Sequence, residues 1–182
     1  MHTNGIIVIV KLLLLITSML ILTISATTLT TNLVHSDYIR LAKDVRSGRS
    51  VLADMDRLAP YTKTNQPEAL SCNLQVRKTF AILTLYASDL AVQHAGVKQY
   101  DEPDDLNVQV YRSHAMGRVR DVLVCAPLDG DMWLRLSILS FILNMKRTST
   151  VAFLTWSERA APQETWIKNQ RDAFVRTYLD PP

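Results

Sequence analysis

The chain begins with an apolar segment that is long enough to cross a lipid bilayer. Residues 5–26 read GIIVIVKLLLLITSMLILTISA and contain a single charged residue, Lys11. At 1.5 Å per residue, a helix of this length spans the roughly 30 Å hydrocarbon core of a bilayer. Helices buried in soluble proteins rarely run this far with so little charge. We therefore predict that residues 1–26 form a signal peptide or a membrane anchor.

Two interpretations of this segment remain open. As a signal peptide, it has Lys11 at the end of the n-region and residues 12–22 as the h-region, with cleavage after Ala26. As an uncleaved anchor, it keeps Lys11 at the cytoplasmic headgroups. The first interpretation predicts a secreted or periplasmic protein. The second predicts a single-pass protein of the cell membrane, with its amino terminus inside and its C-terminal body exported to the periplasm.

The rest of the chain has the patterning of an all-α protein. Five Gly and two Cys in 182 residues are few for an all-β or disulfide-rich fold, and no nucleotide-binding or nucleophile-elbow motif is present. We predict a Thr-rich, extended linker at 27–35 and a helical domain at 36–182. The predicted helices cover residues 36–47, 49–58, 67–94, 104–124, 132–145, 151–160 and 163–179, with a turn at 146–149.

A spacing near 34 residues relates three Ala-Pro pairs, which are Ala59-Pro60, Ala126-Pro127 and Ala161-Pro162. Each pair ends a predicted helix, and successive pairs are 67 and 35 residues apart. Trp133 and Trp166 follow the last two pairs and are 33 residues apart. A period of this length is typical of stacked helical repeats.

One unit of this spacing resembles the tetratricopeptide repeat, a family of stacked helix pairs. Four residues match its early Trp and Leu, the aromatic residue of its second helix and its terminal Pro: Trp133, Leu136, Phe153 and Pro162. Three residues depart from it where Gly or Ala, Tyr, and Ala are usual: Ser137, Ser140 and Trp156. The resemblance implies antiparallel helix pairs in a short solenoid, whereas the helix pattern alone is also satisfied by an irregular bundle.

Helix 132–145 is apolar nearly all round, so we predict that it is buried among neighbouring helices and that Trp133 is buried with it. Ser137, Ser140 and Asn144 fall on one narrow stripe of this helix. Because these side chains are short, we predict that another helix packs closely along the stripe.

Candidate chemistry is sparse in this sequence. Cys72 and Cys125 either form a disulfide, as an exported domain would allow, or remain two buried thiols. The four His residues have no zinc-binding spacing, and the acidic run at 101–105 lacks the pattern of a calcium-binding loop. We interpret that run as a solvated cap of helix 104–124. The sequence thus predicts no catalytic residue, no metal site and no cofactor.

Arg112, Arg118 and Arg120 form a candidate basic docking face on helix 104–124. Such a face would bind an acidic protein partner, an anionic lipid or an anionic polysaccharide, and the alternative is a solvated helix surface. The net charge of +3 is too small to indicate nucleic-acid binding.

Two classes of function remain open. The first is a non-catalytic interaction module of the cell envelope, whose helical repeats hold a protein partner in a secretion or polysaccharide assembly. The segments Cys125–Leu136 and Ala161–Ile167 resemble small repeat-like proteins associated with bacterial envelope polysaccharide synthesis, which implies the latter assembly. The second is a membrane-associated enzyme, or enzyme subunit, that acts on envelope polysaccharide or cell wall through a site assembled across helices.

Overall fold

A computed structural model of the chain describes residues 3–47, 72–96 and 106–180. These residues form α-helices, turns and one π-helical turn, and no strand occurs among them, so the all-α fold class is confirmed. The chain divides into two compact units, residues 1–37 and 38–182. The helices are α1 (Thr3–Val34), α2 (Ser36–Arg46), α3 (Leu74–His94), α4 (Leu106–Cys125), α5 (Gly130–Ile142), α6 (Arg147–Ala160) and α7 (Thr165–Phe174), followed by the π-helical turn Val175–Leu179.

The apolar segment lies in one uninterrupted helix, α1. In the part of the chain that the structure describes, one helix is long and apolar enough to cross a membrane, at Lys11–Thr30. The Thr-rich segment is helical through residue 34, so the prediction of an extended linker is wrong. Thr27 Oγ1 donates to Ile24 O at 2.9 Å, and other threonines there donate in the same way. These bonds satisfy the hydroxyl groups within the helix, so the threonines do not interrupt it.

An N-terminal capping residue fixes where α3 begins. Asn73 Oδ1 accepts a hydrogen bond from Val76 N at 3.2 Å, and the helix begins at Leu74. Cys72 and Asn73 precede the helix, so the predicted continuous helix 67–94 is wrong at these two residues, and residues 67–71 lie outside the described residues. The predicted helix 49–58, the pair at 59–60 and the acidic run at 101–105 lie outside the described residues.

The helices of the C-terminal half also begin at different residues from those predicted. α5 begins at Gly130, because Asp129 Oδ1 accepts from Met132 N at 3.2 Å. α6 begins at Arg147, so most of the predicted turn at 146–149 belongs to this helix. α7 begins at residue 165 and not at 163.

The predicted close contact along helix 132–145 is confirmed for two of its three residues. Ser137 Oγ donates to Thr150 O at 2.8 Å, and the hydroxyls of Ser140 and Thr150 lie 2.7 Å apart. Both serines are fully buried against α6. Asn144 is not part of the stripe, because α5 ends at residue 142 and Asn144 turns the chain with a φ of 53°. Its short amide side chain tolerates this left-handed conformation.

The core of the second unit forms where α3, α4 and α5 meet. α4 packs along α3, α6 packs along α5, and α4 also packs against α5. The largest apolar cluster is built from Ala81, Ala115, Met116, Val119, Val122, Leu123, Met132, Leu136 and Leu139. α2 contributes to a second cluster, in which Tyr38, Leu41, Ala42 and Val45 meet Leu83, Ala87 and Leu90 of α3.

The start of α5 lies directly against the end of α6. Ser157 Oγ donates to Gly130 O at 2.8 Å, inside the protein. The buried Arg171 donates through Nη1 to Ser157 O at 3.0 Å and to Ala161 O at 3.3 Å. A cation at this position also complements the negative end of the α6 dipole. The contact therefore ties α5, α6 and α7 together.

Gly130 is required by this contact, and we expect Gly130→Ala to destabilise the protein by about 2 kcal/mol through overpacking. A Cβ at residue 130 would clash with Ala161 Cβ and would lie 3.2 Å from Ala161 N. Gly117 is the matched control, because a Cβ there meets nothing within 4 Å. Gly117→Ala should stabilise α4 by up to about 1 kcal/mol. Urea unfolding of both variants measures the difference, and equal effects would contradict the packing described.

The first residues of α5 and α7 can be compared with the spacing near 34 residues that the sequence shows. α5 and α7 begin at residues 130 and 165, which are 35 residues apart, as are Pro127 and Pro162. Trp133 is the fourth residue of α5, whereas Trp166 is the second residue of α7. The two tryptophans therefore do not occupy equivalent positions, although the prolines before them do.

Candidate binding groove

Three helices of the second unit, α3, α5 and α7, line one groove. Each contributes side chains at intervals of three or four residues, which lie on one face of a helix. The residue numbers rise in the same order on all three helices, so these helices run in the same direction along the groove. The lining residues are Lys78, Ile82, Leu85, Asp89 and Val92 of α3, Asp131, Arg135, Ile138 and Ile142 of α5, and Trp166, Gln170 and Phe174 of α7.

The groove widens near the C-terminal ends of these helices into a cavity of about 490 Å³, which we name the Arg112 cavity. Arg112 reaches it from α4 and is only 1% exposed. Leu85, Phe174 and Tyr178 form part of its apolar wall. The cavity combines the charged groups of Asp89, Arg112 and Arg135 with aliphatic and aromatic surface. This combination suits a ligand that carries both apolar side chains and hydrogen-bonding groups.

A second cavity, of about 370 Å³, lies where α5 and α7 begin, and we name it the Trp166 cavity. Lys78 Nζ lies 2.5 Å from Asp129 Oδ2 at its wall. Arg135 Nε lies 3.0 Å from Asp131 Oδ1. The side chain of Trp166 remains 42% exposed. This cavity is therefore polar, with ion-paired carboxylates and one open aromatic surface.

Asp89 and Arg135 join the Arg112 cavity to a smaller neighbouring cavity. Both line the Arg112 cavity, and both also line the smaller cavity, of about 240 Å³. The smaller cavity has Val45 and Arg46 of α2 in its wall. α2 therefore forms one flank of the groove.

The predicted basic docking face does not exist as one surface. Arg112 is buried, Arg118 packs its guanidinium 5.9 Å from the centre of the Phe80 ring and 3.6 Å from Asp121, and Arg120 is exposed. The physical reason is helical spacing. Arg112 falls on the inner face of α4, four residues after the buried Val108 and three before the buried Ala115.

The structure joins Cys72 and Cys125 in a disulfide, with their Cα atoms 5.4 Å apart. Cys125 is the last residue of α4, and Cys72 lies just before the cap of α3. The bond therefore links the beginning of one helix of the α3–α4 pair to the end of the other. This arrangement was one of the two alternatives that the sequence left open.

The described residues contain no group of three or more His, Cys, Asp or Glu side chains placed to hold a metal ion. His94 and His114 are exposed on α3 and α4. The acidic run at 101–105 lies outside the described residues. The groove thus consists of charged and apolar side chains without a metal-binding cluster among those described.

Of the residues that carry the tetratricopeptide resemblance, Trp133 and Phe153 pack against each other. The ring centre of Trp133 lies 6.0 Å from that of Phe153 and 5.8 Å from that of Trp156, and Trp133 Nε1 donates to Pro127 O at 2.7 Å. Leu136 is buried in the core, and Pro162 follows the end of α6. Trp133 itself is half-buried, so the prediction that it is buried holds only in part.

Comparison of the chain with protein-family models, with curated proteins and with solved structures found no match. The functional interpretation therefore depends on the geometry of the groove.

The groove residues Asp89, Arg135 and Gln170 were not predicted from the sequence. A signal for them was present, because each is separated from apolar groove residues of its own helix by three or four positions. That pattern does not indicate which helices share a surface. The pairing of α3, α5 and α7 along one groove depends on their tertiary packing.

Proposed function

We propose that this chain is a non-catalytic envelope protein whose helical module holds a protein partner in the groove of α3, α5 and α7. The observation that carries the proposal is the groove itself, which is lined by three helices running in the same direction. Helical-repeat proteins bind partners on extended surfaces of this kind and need no catalytic residues for it. The Arg112 cavity supplies a site for an apolar side chain of the partner.

The tetratricopeptide resemblance is part of this proposal. Two helix pairs, α3–α4 and α5–α6, are followed by the single helix α7, which starts 35 residues after α5. A solenoid of stacked pairs predicts this order, with the last helix covering the exposed side of the preceding pair.

We further propose that α1 anchors the protein in the cell membrane and that the helical body is exported to the periplasm. The length and apolar character of Lys11–Thr30 support the anchor, and a signal sequence has the same properties. The Cys72–Cys125 bond supports export, since disulfides persist in oxidising compartments. If the segment is cleaved, the body is periplasmic or secreted. Digestion of the body by protease added to spheroplasts tests its orientation, and complete protection would contradict export.

The partner is proposed to belong to a polysaccharide or secretion assembly, and its capture through the groove is the direct test. Ala173 and Asn169 are both exposed on α7, but only Ala173 lines the Arg112 cavity. Ala173→Arg should block the cavity, whereas Asn169→Arg adds the same charge outside it. We expect chemical crosslinking in intact membranes to capture one stoichiometric partner with the parent protein and with Asn169→Arg, and at least tenfold less with Ala173→Arg.

The same experiment separates this proposal from the enzymatic alternative. Equal capture by the two Arg variants would show that the groove does not hold the partner. Turnover of an envelope polysaccharide or of cell wall by the purified body, without any captured partner, would favour an enzyme.

A further inference from the structure

Two sequence segments, one around the start of α5 and one around the start of α7, converge on the Trp166 cavity, at the other end of the groove from the Arg112 cavity. Asp129 to Met132 belong to the segment around the start of α5, and Glu164 to Ile167 to the segment around the start of α7. They are 35 residues apart in sequence and line the same cavity. Met132 and Ile167 are buried and account for the packing of the two helix starts. The polar residues and Trp166 face the remaining space.

Two carboxylates of this cavity are held in place by partners. Asp131 is 9% exposed, and its carboxylate is bonded to Arg135. Asp129 accepts from Met132 N and pairs with Lys78. These carboxylates retain lone pairs for further hydrogen bonds, since each carboxylate accepts several. The charged residues that line the cavity are Arg46, Lys78, Asp129, Asp131 and Glu164. They include both signs, so the cavity presents acceptors and donors without a strong excess of one charge.

Trp166 adds a flat apolar surface to this polar lining. Trp166 lines the cavity and is 42% exposed, so part of its indole is open to a ligand. A sugar ring has an apolar face of C–H groups and an edge of hydroxyl groups that both donate and accept. An aromatic surface beside carboxylates and the Lys78 ammonium group matches both features. The volume of about 370 Å³ lies in the range of small-molecule sites, roughly 300–1,000 Å³.

We propose that the Trp166 cavity binds a neutral oligosaccharide, with a sugar ring on the Trp166 indole and hydroxyl groups on Asp129, Asp131, Glu164 and Lys78. A peptide is the less suitable ligand here, because the apolar pocket that its side chains require lies at the other end of the groove, in the Arg112 cavity. The proposal does not depend on a protein partner. Failure of the crosslinking experiment and failure of sugar binding are therefore separate results.

The chain offers a matched pair of exposed tryptophans for the test. Trp156 on α6 is 47% exposed but does not line the cavity. We would titrate the full chain, in a detergent without a sugar headgroup, with cellotetraose, maltotetraose and chitotetraose, and measure tryptophan fluorescence and heat. We expect saturable binding of at least one of these sugars, weakened at least tenfold by Trp166→Ala and less than twofold by Trp156→Ala.

A second variant keeps the test decisive if Trp166→Ala unfolds. Glu164 is exposed at the start of α7, and Glu164→Ala should weaken binding at least threefold while leaving the melting temperature unchanged. Three outcomes would overturn the proposal: no binding of any of the three sugars, equal loss of binding in the Trp166 and Trp156 variants, or binding of tetragalacturonate alone.

Discussion

Reduction of the Cys72–Cys125 disulfide is expected to lower the free energy of unfolding by about 4 kcal/mol. The bond joins residues 53 positions apart, and closing a loop of this length restricts the unfolded chain by about that amount in the chain-entropy description. The loop that the disulfide closes contains all of α3 and α4, so reduction removes a covalent constraint on this helix pair. Urea unfolding with and without reductant measures the difference.

The double variant Cys72→Ser/Cys125→Ser is the control for this prediction. Its stability should equal that of the reduced parent protein and should not respond to reductant. Thiol labelling in denaturant should find no free thiol in protein purified from an oxidising compartment. Two reactive thiols in that material, or a reduced protein as stable as the oxidised one, would contradict the disulfide.

Replacement of Trp133 by Ala is expected to destabilise the protein by about 3 kcal/mol. Trp133 is only half-buried, which places the effect at the lower end of the roughly 3–5 kcal/mol found for large aromatic truncations. The change removes the stacking on Phe153 and Trp156 and the hydrogen bond to Pro127 O. These contacts hold α5, α6 and the preceding loop together.

Two further variants separate the contribution of the Trp133 hydrogen bond from that of the aromatic stacking. Trp133→Phe keeps an aromatic ring but loses the N–H donor, and it should cost about 1 kcal/mol. Trp156→Ala removes a side chain that is 47% exposed and should cost less than Trp133→Ala. A melting temperature of Trp133→Ala close to that of the parent protein would show that the aromatic stack does not stabilise the domain.

The helix predictions were correct where they depended on the pattern of residues within one segment. Helix 132–145 was correctly expected to pack closely through Ser137 and Ser140, because apolar periodicity and short side chains are visible in one segment. The boundaries were less accurate. The caps Asn73 and Asp129 fix the starts of α3 and α5, and similar side chains elsewhere in the chain make other residues equally plausible caps before the structure is known.

The candidate site was predicted less well than the fold. The three arginines of α4 appeared to share a face, yet Arg112 is inside the protein and lines a cavity. Charge is a poor guide to exposure for a long side chain whose stem fits the core face of a helix. The groove residues Asp89 and Gln170 carried no motif, because they acquire a common surface only when α3 and α7 are packed beside α5.

The sequence by itself determined that the chain is helical and that its N-terminal helix is long and apolar enough to cross a membrane. Both properties depend on residues close together in the chain, so periodicity and hydropathy reveal them. Only the tertiary structure decided that Cys72 meets Cys125, that Arg112 is buried, and that three helices share one groove. Each of these depends on which helix faces meet, and that choice is made by packing between segments far apart in sequence.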